Sequence, residues 1–86
     1  MPRVAEFYGI AVYMYHNDHD PAHFHVIYGG NRAAIGIQPL QVLRGTLPGR
    51  ALALVMEWAA LHEQELQANW ARARAFEPLR PIAPLE

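Results

Sequence analysis

Apolar and polar positions divide the chain into a strand-rich half and a helical half. Residues 6–15 (EFYGIAVYMY) are aromatic and branched and contain no proline, so they read as a strand. Both of its faces are apolar: Phe7, Ala11, Tyr13 and Tyr15 on one, Tyr8, Ile10, Val12 and Met14 on the other. That suits a central strand, or one whose second face meets a partner. HNDHDPA (16–22) is polar, with a turn expected at Asp20-Pro21. In the next strand, 23–28, Phe24, Val26 and Tyr28 point one way and His23 and His25 the other. Gly29-Gly30-Asn31 supplies a hairpin turn. A third strand over about 32–37 should bury Ala33, Ile35 and Ile37, and Gln38-Pro39-Leu40 leads into a short strand near 41–44.

Thr46-Leu47-Pro48 reads as a helix start, a capping hydroxyl followed by a first-turn proline. One long helix is expected from there to about residue 76. Leu52, Val55, Ala59, Leu66, Trp70 and Ala73 form the stripe assigned to the sheet. Leu54, Trp58 and Leu61 lie roughly 110° round the axis and exceed what one sheet covers. Continued by His62, Glu65 and Asn69, that second stripe is the expected partner interface. Pro78, Pro81 and Pro84 make residues 77–86 an extended tail, packed along the domain or lent to a neighbour. The expected fold is α+β, one domain over 1–86: an antiparallel meander of three to four strands (1–45), one long helix (46–76) and the tail (77–86).

Composition narrows the chemistry. The 86 residues are 52% hydrophobic and only 17% charged, so some surface is expected to be covered by another chain, as a homodimer or heteromer. Net charge is −1 with histidine neutral, and no broad basic field announces nucleic acid. Cysteine and serine are absent, which excludes disulfides, thiolate and serine nucleophiles and Cys-type zinc sites. No apolar signal core opens the chain, and the apolar run from Ala51 to Leu61 is too short to span a bilayer. A cytoplasmic protein with no membrane partner is the expectation.

Four of the five histidines, His16, His19, His23 and His25, fall within ten residues, with Asp18 and Asp20 among them. Side chains at i and i+2 of a strand share a face, so His23 and His25 can converge on one ion or one substrate. Two imidazoles and a loop carboxylate match the donors of zinc, nickel or iron, which makes Asp18, His19, His23 and His25 candidate ligands. The pair could equally act as general base and acid on a phosphodiester, helped by a cation such as Arg32 or Arg44. Solvent-facing strand histidines with only hydrogen-bonding roles would show the same spacing. On the helix, His62 and Glu65 are spaced to pair, and Arg72, Arg74 and Arg80 sit where a helix C-terminus favours positive charge.

Phe7-Tyr8-Gly9, Met14-Tyr15, the run from Asn17 to Val26 and Tyr28-Gly29 resemble the domain-of-unknown-function family 4160. The likeness continues through Leu47-Pro48, Glu57-Trp58-Ala59, Leu61-His62, Glu65-Leu66, Asn69-Trp70 and Ile82 to Leu85. Ala22 stands where the family pattern has a second proline, a change that bears on loop stiffness. The resemblance includes Asp18, His19, His23, His25, Glu57, Trp58, His62 and Asn69. It implies a small bacterial protein encoded beside another short protein, in a toxin–antitoxin-like arrangement. The resemblance assigns no reaction; the expected function is a component that binds that cognate protein and, if it is the toxin, acts on RNA, with His23, His25 and Arg32 as the catalytic set read from the residues themselves. The alternatives are a metal-binding module built on the histidine loop and a non-catalytic adaptor.

Overall fold

A computed structural model describes residues 3–86. Five strands, β1 (Arg3–Phe7), β2 (Ile10–Tyr13), β3 (His23–Tyr28), β4 (Asn31–Ile37) and β5 (Leu40–Gly45), pair in sequence order as one antiparallel sheet. Two helices follow, α1 (Gly49–Leu61) and α2 (Glu63–Arg74). The class is α+β, with one more strand and one more helix than the sequence suggested.

The extra strand comes from Tyr8-Gly9. Both residues have positive φ (51° and 77°), the requirement of a tight two-residue hairpin, and Phe7 pairs with Ile10 across it. The segment expected as one strand with two apolar faces is therefore a hairpin. Phe7, Ile10, Val12 and Met14 enter the core, and Ala11 and Tyr13 take the outer face with His25, which pairs with Tyr13. Further along, Gly29-Gly30 closes β3 on β4 and Gln38-Pro39 closes β4 on β5. Phe24, Val26, Ala33, Ile35 and Ile37 face the core as their alternation required.

The helix divides at His62, whose φ of −122° lies outside helical geometry. Its N–H still closes α1 on the carbonyls of Trp58 and Ala59, and its carbonyl already accepts from Leu66 N (2.9 Å), so α2 begins at once. Glu63 and Glu65 occupy α2's first turn, and Glu65 reaches back to His62 Nδ1 at 2.5 Å. Acidic groups are favoured there by the helix dipole. Thr46 does not cap α1: Pro48 stands at the cap with no side-chain hydrogen bond, and Thr46 N donates to Arg32 O instead. Val55, Ala59, Leu66, Trp70 and Ala73 are buried and Leu52 is half-buried, as the inner stripe required.

Beyond Ala75 the chain forms neither helix nor strand and lies back across the helices and β1. Ile82 N donates to Val4 O (2.8 Å), and Ile82 and Leu85 join the core. The Asn69 amide bonds both the N–H and the carbonyl of Arg80, at 2.9 and 2.8 Å, and Trp58 Nε1 donates to Ala83 O (2.8 Å). Trp58 is 0% exposed and Asn69 1%. The expected partner interface is corrected at these two positions, because the chain's own last ten residues cover them. No helix among the described residues is long and apolar enough to cross a membrane.

Candidate metal centre

β3 begins just after the polar loop, so the loop folds back over the strand's outer face. His23 and His25 stand side by side there, with ring centroids 5.0 Å apart. Asp18 comes down from the loop between them, its Oδ2 2.8 Å from His25 Nε2 and 3.4 Å from His23 Nε2. One donor atom from each of the three residues lies within 4.8 Å of the others. A tetrahedral ion with bonds of about 2.0–2.1 Å holds its ligands about 3.3 Å apart, so little movement is needed to close on one.

The proton on His23 is fixed by its surroundings. Nδ1 lies 2.7 Å from the carbonyl of Pro21, and a carbonyl can only accept, so Nδ1 is the donor. In the neutral ring Nε2 is then a lone pair. It is buried with no hydrogen-bond partner, although the carboxylate oxygen of Asp18 stands 3.4 Å away. A cation between Nε2 and that oxygen, a proton or a metal ion, satisfies both atoms. A histidine oriented through its other nitrogen by a backbone carbonyl is also the usual arrangement around a bound metal. Trp70 packs against His23 (centroids 5.3 Å) and Tyr15 against His25 (4.9 Å), so apolar surface holds both rings. On the loop's far side Asp20 pairs with Arg74 at 3.1 Å, which ties the loop to α2.

The sequence-level candidates separate on this geometry. Asp18, His23 and His25 are brought together. His19 is exposed and lies outside that convergent group. Arg32 is exposed beside His25, in a depression of about 370 Å³ that Tyr15 and Arg44 also line. Among the partner-surface candidates, Leu61 is exposed and His62 and Glu65 pair with each other at the helix junction. Leu54 is half-buried at a cavity shared with Leu85. Two contributors went unread in the sequence, the Pro21 carbonyl and Trp70. A backbone acceptor leaves no residue-type signal, and Trp70 reads as ordinary helix core.

Fold and site together define a small α+β protein whose outer sheet face carries a His–His–Asp group. The chain belongs to the family described as Domain of unknown function (DUF4160), whose pattern matches residues 9–71 and so spans all three donors. No curated protein and no solved structure matches the chain.

Proposed function

We propose that the protein is a metal-binding module in which Asp18, His23 and His25 hold one divalent transition-metal ion. The observation that carries this reading is the buried, unpartnered Nε2 of His23, aimed at Asp18 Oδ2 beside the Nε2 of His25. Two imidazoles and a carboxylate suit zinc, nickel or iron, and three protein ligands leave a four-coordinate ion one position for water or substrate. Such sites are those at which a metal can polarise a substrate oxygen or activate a water. The site also differs from a surface acidic cluster, since one ligand is buried and oriented by a backbone carbonyl.

Elemental analysis of untagged protein, desalted after incubation with zinc, tests the reading. One equivalent of retained metal per chain is expected, falling to background in Asp18→Asn and His23→Phe. Retention unchanged in both variants, or absent from the wild type, contradicts it.

A further inference from the structure

The ground beside the three donors is cationic. Arg32 on β4 is the diagonal cross-strand neighbour of His25, because His25 pairs with Ala34 two residues on. Diagonal neighbours stand about 7–8 Å apart, within reach of an arginine side chain. Arg44 lies one strand further out, opposite Ala34 in the same row. The register shift after that pair leaves Leu43 as an extra residue, and bulges of this kind re-aim side chains. Accordingly Leu43 packs over Gly36, and Leu43 and Arg44 both border a depression shared with Asp18 and His23. Arg44 thus borders two depressions, each of about 370 Å³, one on either side of the three donors, while Arg32 shares only the one beside His25. Neither arginine has a carboxylate within ion-pair distance among the described residues; Arg3 and Arg74 do, with Glu6 and Asp20.

We propose that this face binds a phosphate ester, one phosphoryl oxygen on the metal held by Asp18, His23 and His25 and the others on Arg44 and Arg32. The inference rests on the metal reading and adds the class of its ligand. Three separate positive centres suit a group with three exposed oxygens better than a carboxylate, which has two. Arginine forks also match phosphate geometry. Asp18 and Asp20 oppose them in charge, and each already has a partner: Asp18 is engaged by the histidines and Asp20 by Arg74. The stacked pair Tyr13 and Tyr15 (centroids 6.2 Å, planes 7° apart) continues the surface past His25. It offers an aromatic platform to the organic part of the ester, as flat side chains do for bases.

Cobalt-loaded protein separates the two readings, because the visible spectrum of cobalt(II) reports metal binding and its perturbation reports an inner-sphere ligand. Inorganic phosphate, adenosine 5′-monophosphate and a short single-stranded RNA are titrated against wild type, Arg44→Gln, Arg32→Gln and the double variant. The expected result is that all four proteins bind cobalt with affinities within about twofold. Phosphate-dependent spectral change should weaken tenfold or more in Arg44→Gln and further in the double variant. The tightest of the three probes identifies the source of the phosphate. An intact cobalt spectrum that no probe perturbs, or that every variant shares with equal phosphate affinity, overturns the phosphate proposal and leaves the metal site standing. No cobalt spectrum in the wild type overturns the metal reading, and the metal-bridged phosphate with it.

Discussion

Replacing His23 with phenylalanine distinguishes a metal ligand from a core histidine. Phenylalanine keeps a flat ring against Trp70 and removes both nitrogens. Loss of the part-buried Nδ1 bond to Pro21 O costs about 0.5–1.5 kcal/mol. Removing the unpartnered Nε2 relieves a desolvation penalty of about 1–3 kcal/mol. In chelator the variant should therefore lie between about 0.5 kcal/mol less and about 2.5 kcal/mol more stable than wild type, with the centre of that range favouring the variant. In zinc at a hundred times its dissociation constant, wild type gains about 2.7 kcal/mol and the variant gains nothing comparable. At that centre the stability order of the two proteins reverses between the two buffers. For a domain of this size each kcal/mol is about 4–8 °C in Tm, so thermal scans and urea titrations both resolve the reversal. The reasoning is refuted if the variant in chelator is destabilised by more than about 2 kcal/mol, the behaviour of a packed structural histidine.

Other consequences lie away from the proposed metal centre. Phe76 holds φ of 57° at 73% exposure, just past α2, where Glu77 N bonds Arg72 O and Phe76 N bonds Ala73 O. Glycine is the usual residue at this cap, so Phe76→Gly should raise stability by about 0.5–1 kcal/mol in urea titration, against a backbone penalty of about 1–2 kcal/mol now borne by the phenylalanine. Asn69→Ala removes two bonds to the Arg80 main chain and the acceptor of Arg72 Nη1, costing about 2–3 kcal/mol. Limited proteolysis within 77–86 and a red shift of tryptophan emission should accompany it; an uncleaved tail would contradict the clamp. Gly45 has φ of 79° and a Cβ there would collide with the Arg32 carbonyl and Ala33 Cα. Gly45→Ala should cost at least about 2 kcal/mol, measured by urea unfolding. Equal stability would show that β5 moves away freely.

Legibility followed physical locality. The β3 alternation separates Phe24 and Val26 from His23 and His25 with no knowledge of the rest of the molecule, and Gly29-Gly30 marks its own turn. Tyr8-Gly9 was hidden because a tyrosine occupies the left-handed position and apolar residues continue on both sides. The helix break left a signal in Glu63 and Glu65, acidic residues gathered at a second N-terminus midway along an apolar stripe. The apparent excess of apolar surface around Trp58 needed a long-range answer. Residues 80–85 supply it through Ile82, Ala83 and Leu85, and periodicity cannot show which side of a helix a distant segment will cover. For the centre, the pairing of His23 with His25 was readable from spacing. The choice of Asp18 over His19 was not, because the path of the loop across the strand decides it.

The central claim is that three side chains from one loop and one strand make a single metal centre. X-ray absorption at the zinc edge, on protein loaded with one equivalent and desalted, interrogates that centre atom by atom. The account predicts a nitrogen and oxygen shell near 2.0–2.1 Å with no sulfur and the outer-shell scattering of two imidazoles. Asp18→Asn, taken through the same loading and desalting, should show no zinc edge above background. A shell of oxygens alone, a single imidazole, or a spectrum indifferent to Asp18 and His23 substitution would contradict it.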